Sequence, residues 1–200
     1  MCYLDTDNKS ECFGCEACMQ ICPKKAISML EDEEGFRYPV IDKDKCINCN
    51  LCRRSCPYSK MPKKYEQEKY TFGGYHKDWK IRDLSTSGGA FSAIVEEYCD
   101  ENYVIFGATS NGIEVYHTYI EDKQKIEMFR KSKYLQSKIG NAFSDAKTFL
   151  QQGKKVLFSG TPCQIAGLRA FLKTVNQENL LTVEVICEGV PSPLFIKKYE

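Results

Sequence analysis

Cys12-Phe13-Gly14-Cys15-Glu16-Ala17-Cys18-Met19-Gln20-Ile21-Cys22-Pro23 and Cys46-Ile47-Asn48-Cys49-Asn50-Leu51-Cys52-Arg53-Arg54-Ser55-Cys56-Pro57 are two copies of one run, C-x2-C-x2-C-x3-C-P, the second starting 34 residues after the first. Three thiolates spaced in this way wrap one face of an iron–sulfur cubane, while the fourth, set off by three residues and followed by proline, points away and completes the opposite cluster. The spacing predicts two 4Fe-4S clusters with crossed ligands. One is held by Cys12, Cys15, Cys18 and Cys56, the other by Cys46, Cys49, Cys52 and Cys22. Zinc sites instead pair two C-x2-C knuckles across a longer loop, which a double run of four does not match. A redox-inert structural cluster is the remaining reading of the same ligands.

Outward from these runs, the chain of 200 residues carries 12 cysteines in all. Its first residues, MCYLDTDNKSEC, lack the apolar stretch of a signal peptide, and no segment approaches the roughly 20 apolar residues of a membrane span. A cytoplasmic, reducing location follows, and there metal binding is favoured over disulfides. The 28 Lys+Arg almost cancel the 27 Asp+Glu, leaving +1 and no basic excess of the kind nucleic-acid binding calls for. Between the runs, the apolar segments 26–30 and 38–41 flank the acidic turn Glu31-Asp32-Glu33-Glu34-Gly35, which predicts a small hairpin over the clusters. Metal binding contributes folding free energy, so a unit of residues 1–60 can fold on a small apolar core.

Residues from Tyr58 to Lys69 are polar and aperiodic and predict a linker, placed at 61–70. Beyond it, Ser85-Thr86-Ser87-Gly88-Gly89 opens a helix whose apolar face is Ala90, Phe91, Ile94, Val95, Tyr98 and Cys99. Hydroxyls and glycines at a helix start suit either plain capping or a phosphate group. Segments 103–109 and 113–120 read as a hairpin around Ser110-Asn111-Gly112. A helix with Ile139, Ala142, Phe143, Ala146, Phe149 and Leu150 on one face stops at Gly153. Strand 155–159, a helix after Thr161-Pro162 and strand 181–187 then form a crossover, which makes the strands parallel. Ligands of open α/β sheets bind where such strands end. Cys163 and Cys187 fall there, as neighbours in space or as small buried hydrophobes. Cys99 reads as core and the charged run around Arg130-Lys131 and Lys133 as a solvated face. His76 and His117 stand alone, the latter a surface or half-buried strand residue.

Gly74-Tyr75-His76-Lys77-Asp78, Ser85-Thr86-Ser87-Gly88-Gly89, Ser132-Lys133-Tyr134, Ser159-Gly160-Thr161-Pro162-Cys163-Gln164 and Cys187-Glu188-Gly189-Val190-Pro191-Ser192-Pro193 together resemble the coenzyme F-420 hydrogenase/dehydrogenase beta-subunit family. With a two-cluster ferredoxin in front, the chain is similar to the bacterial fusion members often found with polysaccharide-synthesis genes. The resemblance implies FAD, contacted by Ser87, Gly88, Gly89, Lys133, Tyr134, Ser137, Thr161 and Pro162. It also implies that Cys163 and Cys187 join a later C-x2-C to bind a third 4Fe-4S cluster. Glu188 stands where the family usually has His. Members run about twice this length, so the chain is expected to be a truncated one, ending inside an amphipathic helix.

The expected fold is therefore α+β: a bacterial-ferredoxin-like domain, then a mixed α/β flavin-binding domain with an N-terminal region at 71–152 and the start of a C-terminal region at 153–200. The expected function is an iron–sulfur flavoprotein oxidoreductase, in which FAD exchanges a hydride with a deazaflavin (coenzyme F-420) or another organic substrate and passes electrons to the clusters. Partners would be a redox protein or ferredoxin and a small hydride donor or acceptor. The alternative is an electron-transfer or interaction module with two clusters and no flavin. No residue stands out as a general acid or base.

Overall fold

A computed structural model describes residues 2–60 and 70–199; most of the expected 61–70 linker lies outside the described residues. The helices are α1 (Tyr3–Thr6), α2 (Ala17–Gln20), α3 (Leu51–Arg54), α4 (Trp79–Asp83), α5 (Ala90–Tyr98), α6 (Ala142–Gln151), α7 (Pro162–Phe171) and α8 (Pro193–Lys197). The strands are β1 (Ile27–Glu31), β2 (Arg37–Ile41), β3 (Tyr103–Asn111), β4 (Glu114–Ile120), β5 (Lys155–Gly160) and β6 (Leu180–Glu184). No described helix is long and apolar enough to cross a membrane.

The two cysteine runs fold as a structural repeat. In each, the second residue after the first cysteine (Gly14, Asn48) and the residue after the second cysteine (Glu16, Asn50) have positive φ. A single helical turn follows, α2 in one and α3 in the other. The hairpin expected between the runs is present, with β1 antiparallel to β2 from Ile27↔Ile41 to Glu31↔Arg37.

The second module is a four-stranded sheet in the order β4-β3-β5-β6. β4 is antiparallel to β3, and β3, β5 and β6 are mutually parallel, as the crossover required. Alternation along the strands divides the core in two. Val104, Phe106, Val156 and Phe158 face α6 and α7. Ile105 and Leu157 face α5, with Val95 and Cys99, and the 3-10 helix Lys123–Phe129. Strands buried on both faces explain the unbroken apolar runs Val104-Ile105-Phe106 and Val156-Leu157-Phe158.

Cys15 and Ala17 belong to the first of these cores, together with Phe143, Ile165 and Leu168. The contact is close. A Cβ on Gly167 of α7 would lie 3.2 Å from Cys15 Sγ and 3.4 Å from Ala17 Cβ, so tight that the cysteine loop would have to give by a few tenths of an ångström.

Four local expectations need correction. On α5, Ala90 is exposed and Ser92 is buried instead, because its hydroxyl accepts from Arg130 Nε at 3.1 Å. The charged run is solvated only in part: Lys131 is exposed, but Lys133 Nζ folds back onto the carbonyls of Arg130 (2.6 Å) and Met128 (3.2 Å), and burial lowers its pKa. The last helix is a short capped one, with Ser192 Oγ accepting from Phe195 N.

His117 is the fourth, since it is 7% exposed and stacks on Phe158. Its Nε2–H donates to Ser159 O (3.0 Å), and Nδ1 accepts from Ser137 Oγ (2.9 Å), which in turn accepts from Gln164 Nε2 (2.8 Å). Protonation would set two donors against each other in a dry site, and burial lowers the pKa from 6.5 to about 4. The folded state then binds fewer protons than the unfolded chain between these values. The stability His117 confers is complete above pH 6.5 and is lost as pH falls toward 4, by about 3 kcal/mol at 1.36 kcal/mol per unit. Anaerobic denaturant titrations across this range should show a steeper acid loss in the wild type than in His117→Gln; equal slopes would contradict the assignment.

Candidate metal centres

The cysteines gather around two hollows of similar size, about 410 and 380 Å³ including space open to solvent. Cys12, Cys15, Cys18 and Cys56 line the first, and Cys22, Cys46, Cys49 and Cys52 line the second. The fourth cysteine of each run thus crosses to the hollow of the other, because α2 and α3 each carry the chain away from the hollow that its run began. Backbone amides face the sulfurs: Gly14 N–H points at Cys12 Sγ (3.4 Å) and Ala26 N–H at Cys22 Sγ (3.3 Å).

Thiolate sulfurs on one zinc ion sit about 3.8 Å apart, given Zn–S of about 2.3 Å in a tetrahedron. Among the described residues no three Cys, His, Asp or Glu side chains converge closely enough for a single ion. A cubane, which offers a separate iron to each thiolate, fits hollows whose sulfurs stand apart. Burial raises the Cys12 and Cys52 thiols, carries Cys18 well above its ordinary value and pushes Cys15 up to about 12. Cluster loading must therefore expel protons from neutral thiols.

The hollows differ in surroundings. The first lies against the second module. Glu16, buried between Cys15 and Ala17, pairs with Arg37 and accepts from Gly140 N at 3.1 Å. Gln20 Oε1 accepts from Phe143 N (3.2 Å) and Ser144 N (3.3 Å), so a residue of the first cysteine run caps α6. Gln136 Nε2 donates to Phe13 O at 2.8 Å. The second hollow faces outward, with Ile47, Asn48 and Asn50 exposed around it.

Cys2 also lines the first hollow and is buried. Its thiol lies 3.4 Å from Asp5, and burial, with Cys56 nearby, pushes it up to about 12. The docking residues Glu16, Gln20 and Gln136 were not identifiable beforehand, since their partners across the docking contact lie more than 120 residues away.

Cys163 stands in the first turn of α7, half-buried, 3.2 Å from Thr161 Oγ1. Burial raises its thiol; the Thr161 hydroxyl opposes this and Cys187 adds to it. Cys187 itself is exposed, beyond the end of β6. Cys163 lies one helical turn before Gly167, the α7 residue packed against Cys15, and adds to burial in raising the Cys12 and Cys15 thiols.

The residues expected at a flavin lie in three loops, two of which meet where Ser132 N donates to Thr86 Oγ1 (3.0 Å). Several of the side chains are already engaged. Lys133 is folded onto carbonyls and Ser137 belongs to the His117 network. Thr161 and Gln164 form a reciprocal capping box on α7. Gly88 is explained by packing, since a Cβ there would lie 2.9 Å from Gly74 O, and Gly89 likewise sits against His76. Ser87, Tyr134 and Pro162 are exposed.

Replacing Cys56 by Ser should damage the cluster built on Cys12, Cys15 and Cys18, and Cys22→Ser the one built on Cys46, Cys49 and Cys52. Low-temperature EPR of the reduced variants, which separates the two signals, checks this; loss of the signal of the run that holds the mutated cysteine would contradict the crossing.

Residues 11–60 match the family model 4Fe-4S dicluster domain, and a second model of the same description matches residues 38–101. The two overlap on the second cysteine run. Cys99, the other cysteine in the longer match, is fully buried in the α/β core. Residues 153–200 match the family model for the C terminus of the Coenzyme F420 hydrogenase/dehydrogenase beta subunit, and the match covers β5, α7, β6 and the Cys163 and Cys187 positions. No curated protein matches the chain. The chain is accordingly similar to 4Fe-4S dicluster domains in its N-terminal part and to the C terminus of the Coenzyme F420 hydrogenase/dehydrogenase beta subunit in residues 153–200.

Proposed function

We propose that the protein is an iron–sulfur flavoprotein oxidoreductase in which electrons pass between two ferredoxin-type 4Fe-4S clusters and FAD, with a hydride exchanged between FAD and a deazaflavin such as coenzyme F-420 or another organic substrate. The observation that carries this reading is the docking of the first hollow. Its cysteine loop touches α7 at Gly167 and the 132–138 loop at Gln136, and Cys163 stands beside it. The residues expected at the flavin lie in or next to those same segments. The ligands are Cys12, Cys15, Cys18 and Cys56 for the inner cluster and Cys46, Cys49, Cys52 and Cys22 for the outer. Cys163 and Cys187 are half of a ligand set for a third 4Fe-4S cluster, which forms only if two further cysteines are supplied.

Bound FAD supplies the conversion between one-electron and two-electron transfer. The chain's own part is to position and to exclude water. Glu16 and Gln20 hold the inner cluster loop on the α/β module, and the His117, Ser137 and Gln164 network holds the turn that presents Thr161 and Cys163. With Lys133, Ser137 and Thr161 engaged, the polar contacts left for FAD are Ser87, Tyr134 and backbone amides near Gly88, Gly89 and Pro162. That engagement favours the second reading, an electron-transfer module with two clusters and no flavin.

Anaerobic purification with iron, sulfide and flavin counted on one sample separates the readings. The proposal expects about eight irons per chain from two cubanes, and FAD released on denaturation. Iron without flavin would select the electron-transfer module, and a folded, iron-free protein would overturn both.

A further inference from the structure

The surface around the outer hollow carries mostly positive charge. Lys24 lines that hollow and Lys25 follows it; Lys43 is brought alongside because Asp42 N donates to Ala26 O at 2.8 Å. All three lysines are exposed and form no ion pair among the described residues. Arg54, also exposed, donates to Cys49 O at 3.1 Å, beside a ligand position. Lys45 is tied to Asp42 at 2.8 Å, which leaves Asp44 as the exposed carboxylate of this face. Ile47, 56% exposed, lies between Cys46 and Cys49 and lines the same hollow as Lys24. The acidic turn Glu31-Asp32-Glu33-Glu34 lies at the far end of the β1–β2 hairpin.

We infer that this face is the docking site of an acidic protein electron carrier. The inference rests on the reading of the hollows as cluster sites. The inner cluster loop is covered by α6, α7 and the 132–138 loop, so the outer hollow is where another protein can come close. An exposed apolar residue with cations about the same hollow suits a small, transient, electrostatically steered interface. Nucleic acid and anionic lipid would value the cations but have no use for Ile47 or for a cluster beneath it, and the chain's charge of +1 gives them no wider basic surface.

The test uses anaerobically prepared, iron-loaded protein and a small acidic [2Fe-2S] ferredoxin as probe, with binding followed by calorimetry. The wild type should bind, and about tenfold more weakly when NaCl rises from about 20 to about 200 mM. Lys24→Glu/Lys25→Glu/Lys43→Glu should weaken binding by about tenfold or more at low salt. Lys173→Glu, an exposed site on the α/β module, should stay within about twofold. Iron content and the visible spectrum, measured on each variant, show whether the clusters survive. Loss of iron in the wild type would count against the cluster reading itself. A fully loaded triple variant that binds like wild type, a wild type that does not bind the probe, or equal binding to double-stranded DNA or phosphatidylserine vesicles would overturn the docking inference alone.

Discussion

The architecture depends on one contact: the loop Cys15-Glu16-Ala17 pressed against α7 at Gly167. Glu16 takes up a left-handed backbone conformation there, which costs a non-glycine residue about 1–2 kcal/mol. The same geometry turns its carboxylate inward to Arg37 and the Gly140 amide. A buried carboxylate is stabilising only when fully paired, so Arg37 on the hairpin and Gly140 before α6 are drawn to a common point. Gln20, one turn later, caps α6. Residues between the cysteines therefore join the modules, while the cysteines themselves line the hollow.

From that contact follows an asymmetry between two motifs that are almost identical in spacing. The first run is covered by helices and its thiols are desolvated. The second has asparagines at the positions of Gly14 and Glu16 and stays at the surface. Where the first run offers a buried acid and a capping amide, the second offers an exposed cation, Arg54. An internal and an external end are thus built into one repeat by the identity of its non-cysteine residues.

Much of this was legible from residue order. The cysteine spacing names the two sets of four, since three residues with period three share a side and the fourth does not. The Asn111-Gly112 turn and the unbroken apolar runs of β3 and β5 likewise announce a hairpin and buried parallel strands. What escaped was long-range polar pairing. His117 looked like any polar residue in an alternating strand, and only the arrival of Ser137 and Gln164 from distant segments makes its burial tolerable. Arg130 and Lys133 read as solvated because their partners, the Ser92 hydroxyl and main-chain carbonyls, carry no sequence signature. Glu16 and Gln20 lie inside a motif in which the cysteines alone form a recognisable pattern.

The most direct measurement is anomalous X-ray scattering at the iron edge from crystals of anaerobically prepared protein. Two iron peaks should appear, one enclosed by Cys12, Cys15, Cys18 and Cys56 and lying beside α7, the other enclosed by Cys22, Cys46, Cys49 and Cys52 near the surface. A single peak, or peaks each surrounded by the four cysteines of one run, would contradict the crossed and docked arrangement.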